Sequence, residues 1–528
     1  MKITTTLFTL FIAGYSICQI NTTVLDQNNC GATISDIGEF FNNSSTSTSG
    51  YEVPVGSGKH AIYAGALWFG GTDVNGQVKL TAPKYYPNSQ DMWPGALTDD
   101  GAANIPFPAP FGQTIWTVTK AEIAYHINNF NTPGYVIPND IMNWPAHGDL
   151  TLSMDYFLAP FIDVNGNNVY EPQMGDYPCI KGDKASYIIV NDKGGVHGSG
   201  GDPIGVEIHY MFYQYSSVPE LTNVTFIDAK LINRGTQTLY NFISSFWLDP
   251  DLGNYNDDYI GVDTTRNLMY AYNADSFDEN DGGNLGYGAT PPAIGIVSLN
   301  SPISAGVGFS NAAAYPYSDP STPLEFYNFM NGTWADGSPI LDDQSQPTTF
   351  QYPGDPNDMA QWSEFSNGNP SGDRRIMMSI KKDDPSTPFE EILTPFEEWD
   401  LSFAVVFAED TSNLASVSKL FEVTDTVQYY FDHVMDPLCV YHTASLQEYL
   451  IPNVTVYPNP STGIFNIEFN DKLDHCTIEV VDLAGRTLIK NHYKNKDYIT
   501  FNLDESPGVY LLQVHTSNGS HTERIVIE

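Results

Sequence analysis

Val454-Thr-Val-Tyr-Pro-Asn-Pro-Ser-Thr-Gly463 runs into Ile464-Phe-Asn-Ile-Glu-Phe-Asn470, where Phe465, Ile467 and Phe469 alternate with Asn466, Glu468 and Asn470. Alternation at period two puts the apolar set on one face of a strand and the polar set on the other. Pro458, Pro460 and Gly463 punctuate its start, because proline presets φ and glycine reaches positive φ at no steric cost. The pattern continues downstream. Cys476–Leu483, Tyr498–Leu503 and Val509–His515 read as short strands, and Asn518-Gly519 is a hairpin signal before Glu523–Ile527. Several short strands within about 75 residues predict a small immunoglobulin-like β-sandwich over 453–528.

Upstream, strand-like runs include His60–Phe69, Val206–Tyr215, Val224–Ile232, Phe242–Leu248 and Leu401–Phe407, separated by Gly, Pro and Asn-Asp clusters. Two helices stand out. Thr119 and Glu122 form a capping box ahead of Ile123, Ile127 and Phe130, and Leu420, Val427, Phe431 and Val434 make a stripe from about Leu414 to Met435. The expected fold class is mostly β: a large β-sandwich-like body over 19–440 with a few packed helices, a linker over 441–452, then the small sandwich. No internal repeat of fixed period interrupts it.

Composition narrows the function. Across 528 residues, 22 Lys and Arg face 63 Asp and Glu, a formal charge of −41. Such a chain repels phosphate backbones and has no basic stripe, so nucleic acid is excluded as a partner and anionic membrane surfaces are disfavoured. Aromatic residues reach 13%, with 43 Gly and 35 Pro, the profile of a turn-rich β protein and not of a disordered one. Residues 1–18 read as a signal peptide: Lys2, then the apolar Leu7–Ile12, with Ser16 and Cys18 as small residues before a cleavage at Gln19. Lipidation of Cys18 is the rival reading, weakened by Ile17 and Tyr15 where other residues are wanted. No later run is long enough for a transmembrane helix. Cys30, Cys179, Cys439 and Cys476 remain, and an oxidising destination permits disulfides in any of three pairings.

Tyr457-Pro-Asn-Pro460 with Gly463, Val481-Asp-Leu-Ala-Gly-Arg486, Gly508-Val-Tyr510 and Arg524-Ile-Val-Ile-Glu528 occur in order. On these four motifs, residues 453–528 resemble the type A C-terminal sorting domain of the Bacteroidota type IX secretion system. The resemblance implies an export address read by the outer-membrane translocon, and a secreted or outer-surface destination. The body resembles a widespread group of exported Bacteroidota proteins of unassigned activity, through Trp144-Pro-Ala-His-Gly148, Ala159-Pro-Phe-Ile-Asp163, Gly175-Asp-Tyr-Pro178, Trp334-Ala-Asp-Gly337, Pro353-Gly-Asp-Pro356 and Gly372-Asp-Arg-Arg375. It carries over no catalytic residue.

The clearest chemical signal is Asp163-Val-Asn-Gly-Asn-Asn-Val-Tyr-Glu171, closing at Gly175-Asp176. Oxygen ligands at alternate positions suit calcium: side chains of Asp163, Asn165 and Asn167, the carbonyl of Val169 and the carboxylate of Asp176. The loop departs from the EF-hand, with Met174 at the closing position. Its other reading is a run of Asx turns satisfied by its own backbone. Between Asp249 and Asp281 nine carboxylates accompany one cation, Arg266. Either that stretch is a solvated loop or a cation neutralises it, with Asp249, Asp251 and Asp257 as the ligand set.

Catalytic constellations are missing: the sequence holds no His-Glu-x-x-His and no Gly-x-Ser-x-Gly. His197-Gly-Ser199-Gly-Gly-Asp202 lacks the Asp before Ser that a serine protease would show, so it reads as a glycine loop. Glu207 and His209 share a strand face and read as a satisfied core pair, and Arg374-Arg375 as partners in internal ion pairs. The eight Trp read mainly as core, with one or two for a binding face. The expected function is a secreted, non-enzymatic adhesin or glycan-binding protein stabilised by calcium. An extracellular hydrolase of polysaccharide or protein and a structural component of a surface layer or matrix are the alternatives. If the Asp163–Asp176 loop binds calcium only when folded, millimolar calcium raises the melting temperature relative to chelator, and Asp163→Ala shrinks that difference.

Overall fold

Val206–Gln214 and Val224–Asn233 are buried along their whole length, so both faces of these strands must be covered. They form the middle of a nine-stranded antiparallel sheet ordered Trp93–Pro94, Lys184–Asn191, Val206–Gln214, Val224–Asn233, Glu398–Ala408, Ala293–Ser298, Leu268–Asn273 and Asp258–Asp263, with Ile115–Thr119 added beside Lys184–Asn191. Facing it is an eleven-stranded sheet whose spine is Ala305–Phe309, Arg375–Lys381, Leu239–Asp249 and Ala64–Thr72. Val206, Ile208, Tyr210 and Phe212 meet Phe40, Leu67, Phe69, Phe246 and Met378 between the sheets. The opposite set from the same strand, Met211 and Tyr213, packs under helix Asn413–His433 and the segment around Trp144–Phe161. Helix Pro323–Met330 covers the outer face of the other sheet, around Trp68, Trp247 and Met377. The body is thus a helix-covered β-sandwich, and the structure describes residues 20–43, 46–101, 110–382, 391–435, 454–481, 487–503, 505–516 and 519–527 in this computed structural model.

Both expected helices form, with altered faces. Helix Lys120–Asn129 starts at Thr119, whose side chain accepts the Glu122 N–H while Glu122 reaches back to the Thr119 N–H. Its inner face carries Ile123 and His126; Ile127 points outward at 41% exposure. His126 takes that place because its ring nitrogens bond the Asp176 carbonyl at 3.1 Å and the Tyr135 hydroxyl at 3.2 Å. In Asn413–His433, Leu420 and Val427 are buried, and Val434 lies past the last turn in solvent. The expected strand His60–Phe69 is broken at Tyr63 into His60–Ile62 and Ala64–Thr72, where the Tyr63 N–H turns to the Asp249 carbonyl at 2.8 Å.

Met1–Tyr441 and His442–Glu528 are two compact units. In the second, Val454–Tyr457 pairs with Ile464–Val481, which also pairs with Thr487–Asn502 and Gly508–Thr516, and Gly519–Ile527 closes the order. Phe465, Ile467 and Phe469 are buried with Ile478, Leu512 and Ile525, as the alternation requires. Asn459 of the Pro-Asn-Pro turn donates to the Arg524 carbonyl at 2.7 Å and accepts the Val526 N–H at 2.9 Å, tying the first turn to the last strand. Cys30 and Cys476 are buried free thiols, and Cys179 is disulfide-bonded. The signal peptide, Cys439, the linker and Asn518 lie outside the described residues.

Phe40 sits between the sheets with its ring edge-on to Tyr210 at 5.1 Å and Phe212 at 4.8 Å. Phe40→Ala is expected to destabilise the body by about 3–5 kcal/mol, through lost transfer energy and a residual cavity. Val196→Ala, at a side chain 94% exposed, stays within about 0.5 kcal/mol. Denaturant melts of the two variants check the contrast.

Candidate functional site

Three neighbouring strand ends frame a cavity in the body. Leu239–Asp249 ends where Arg375–Lys381 begins, with Leu248 opposite Ile376, and Ala64 stands opposite Asp249 on the other side. The break at Tyr63 opens this edge. Ser47–Ser49, His60, Tyr63, Tyr85, Asp249, Asp251, Tyr255, Asn284, Asp373 and Arg375 line a cavity of about 580 Å3.

Its charges are organised around one arginine. Asp249 Oδ2 accepts the Tyr85 hydroxyl at 2.6 Å and lies 3.4 Å from Arg375 Nη2. Arg375 Nε donates to the Tyr85 oxygen at 3.2 Å, and its Nη1 pairs with Asp373 Oδ1. Asp249 Oδ1 is buried with no hydrogen-bond partner. Burial pushes the Asp249 carboxyl up to about 7, although Arg375 and Tyr85 oppose it. Burial, then the charges of Asp249 and Asp373, raise Asp251 well above the usual carboxylate range. Burial lowers His60, so its imidazole is neutral near pH 7. One oxygen from each of Asp249, Asp251 and Asp373 falls within 4.8 Å of the others.

Asp257 does not join this cluster. It stands instead beside Asp278 and Asn254, whose side-chain amide donates to it at 3.2 Å, and burial followed by the Asp278 charge raises its carboxyl to about 7. In the other expected cation loop, the oxygens engage backbone. Asp163 Oδ1 accepts Gly166 N–H at 2.7 Å and Oδ2 accepts Asn168 N–H at 2.6 Å; Asn165 and Asn167 accept the N–H groups two residues on. Val169 supplies one of those N–H groups and is exposed, while the buried Asp176 accepts Val164 N–H at 2.9 Å and Glu171 N–H at 2.8 Å.

Glu207 and His209 are enclosed. Glu207 Oε1 meets His209 Nε2 at 2.8 Å and Arg234 Nη2 at 3.1 Å, Oε2 accepts Leu97 N–H at 2.7 Å, and His209 Nδ1 meets Tyr187 Oη at 2.8 Å. Burial opposes ionisation of Glu207, but Arg234 and His209 outweigh it and hold the carboxyl at about 2. Ser199 gives its hydroxyl to Asp91 and is buried. Arg374 pairs with Glu364 at 2.9 Å beside a second, smaller cavity of about 320 Å3. There Tyr317 and Trp334 meet edge-on at 4.7 Å. Sequence reasoning named Asp249 and Asp251 but not Asp373, Tyr63 or Tyr85. The Gly372-Asp-Arg-Arg375 motif was the available signal for Asp373, since it begins a strand beside Asp249.

Residues 455–528 match the family described as the secretion system C-terminal sorting domain. The tail is a type IX sorting domain. Such domains mark proteins that are secreted or held at the cell surface, and this protein is one of them. Among the described residues, no helix is long and apolar enough to cross a membrane. No curated protein matches the chain. A solved DUF3244 family protein with an immunoglobulin-like β-sandwich from Bacteroides vulgatus is 20% identical over 14% of this chain and 83% of its own, with a TM-score of 0.13. The BSP domain of a biofilm associated protein is 8% identical over 65% of this chain and 59% of its own, also at a TM-score of 0.13. Those superpositions are too distant to assign anything to the body.

Glu39, buried close to this cavity, accepts the Tyr86 N–H at 3.1 Å through Oε2 and leaves Oε1 without a partner. Burial raises its carboxyl from 4.5 to about 8. The folded state therefore holds a proton that the unfolded state releases. The resulting stability is complete below the unfolded value and is lost as pH rises through the folded one. In chelator, the melting temperature is expected to fall from pH 4.5 to about 8, and Glu39→Gln should flatten that slope.

Proposed function

We propose that the body is a non-enzymatic binding protein displayed outside the cell, and that its cavity takes a glycan. The observation that supports this reading is the company in the cavity wall: Tyr63, Tyr85 and Tyr255 beside Arg375, Asp249, Asp251 and Asp373. A sugar presents an apolar ring face and a rim of hydroxyls. Aromatic side chains match the first, and charged groups that both donate and accept match the second. Calcium stabilises the body at the Asp163–Asp176 loop. Asp163 Oδ2, Asn165 Oδ1 and Asn167 Oδ1 each accept one N–H, and an oxygen that accepts one N–H keeps a further lone pair, so Asx turns and ligation are compatible there.

The convergence of acids also supports a second reading, an extracellular hydrolase. Glycosidases flank the scissile bond with carboxyls about 5–5.5 Å or about 6.5–9.5 Å apart, whichever stereochemistry they follow. Here one oxygen from each of three carboxyls lies within 4.8 Å of the others, beside one arginine.

Depletion of the purified protein by insoluble polysaccharides and glycoproteins, with assay of released reducing sugar, separates the readings. Retention without release is expected. Tyr255→Ala should weaken retention about tenfold, the loss of roughly 1.4 kcal/mol of ring contact. Release of sugar would establish the hydrolase instead, and self-assembly without retention would establish a structural component.

A further inference from the structure

We propose that the cavity holds a divalent, oxygen-preferring cation between Asp249, Asp251 and Asp373. One oxygen from each lies within 4.8 Å of the others, close enough for small side-chain adjustments to bring all three to a single ion at the usual calcium–oxygen distance of about 2.3–2.6 Å. Acidic clusters are common on a protein this negative, and proximity alone would mean little. The second observation is the state of Asp249. It is 2% exposed, it lines the cavity, and its Oδ1 has no hydrogen-bond partner although Oδ2 is engaged by Tyr85 and approached by Arg375. Asp176 and Asp192 turn their buried oxygens to N–H groups, whereas Glu39, Asp257, Asp258 and Asp319 each keep one unpartnered oxygen, as Asp249 does; of these only Asp249 belongs to the three-carboxylate group. An unpartnered acceptor on the wall of a cavity, next to two further carboxylates, is placed to receive an ion.

Charge points the same way. Three carboxylates and one guanidinium line the cavity, with His60 neutral, which leaves two negative charges uncompensated. A divalent ion cancels that surplus. Three protein ligands do not complete the roughly six to eight oxygens that calcium takes, so the remaining positions fall to water or to oxygens of a bound molecule. The ion site stands whether or not the cavity takes a glycan, and its test contains none.

The experiment uses the full chain carrying Asp163→Ala, which disables the other calcium loop, and titrates terbium and then calcium. Tyr85 and Trp247, whose rings are 5.2 Å apart, are close enough to sensitise terbium luminescence. A saturable signal displaced by calcium is expected, and Asp251→Asn or Asp373→Asn should weaken terbium binding at least tenfold. Thermal melts give the second reading. In chelator, Asp251→Asn should melt above its parent because one of three crowded carboxylates is gone, while in calcium it should lose the increment that the parent gains. A purely structural aspartate would not reverse sign in this way. No calcium-displaceable signal in the Asp163→Ala chain, or a signal indifferent to both Asn substitutions, would overturn the proposal.

Discussion

The central strands of the body are covered on both faces, and that constraint organises everything else. A strand buried on one face can carry charge on the other; Val206–Gln214 and Val224–Asn233 have no such outlet. Each ionisable group kept there needs a partner in reach, because an uncompensated buried charge is far costlier than a lost contact. Glu207 has Arg234 and His209, and Lys230 has Glu398 at 2.8 Å. Where three strand ends coincide, at Asp249, Tyr63 and Arg375, a polar cavity forms instead of a sealed edge.

An excess of acids does not by itself mean an excess of ligand sites. Much of it is turn chemistry. Asp73 accepts the N–H groups of Asn75 and Gln77, Asp263 that of Thr265, Asp336 that of Ser338, and Asp342 those of Gln344 and Gln346. Each of these carboxylates does for a loop what a ladder hydrogen bond does for a strand. The acids of the cavity differ in kind. Asp249 answers to a tyrosine and an arginine, and Asp251 has no hydrogen-bond partner among the described residues. That difference, and not the density of Asp, separates a candidate site from a well-made turn.

In the tail, the sorting domain has a small fold of its own. The Pro-Asn-Pro turn is held to the last strand through both ends of the Asn459 amide, and Ser461 donates its N–H to the Val526 carbonyl at 2.9 Å. Two of the motifs that identify the sorting domain are therefore one structural feature, joined across the length of the unit.

Local pattern was sufficient for the strands, because period-two alternation and its turn residues act within a few positions: Phe465, Ile467 and Phe469 were readable as an inner face from their spacing alone. The Thr119–Glu122 cap was readable for the same reason. Long-range partners were not. Nothing near Ile127 reveals that His126 takes the inner face, since the Asp176 carbonyl that holds it comes from a distant loop. Asp249 and Asp251 were visible as an acidic run, but the choice of Asp373 over Asp257 as their companion was made by strand pairing, which sets Leu248 against Ile376. The sequence by itself determined a β-rich exported protein with a sorting tail. Only the tertiary structure decided which acids meet, because a sheet brings together residues that the chain keeps far apart.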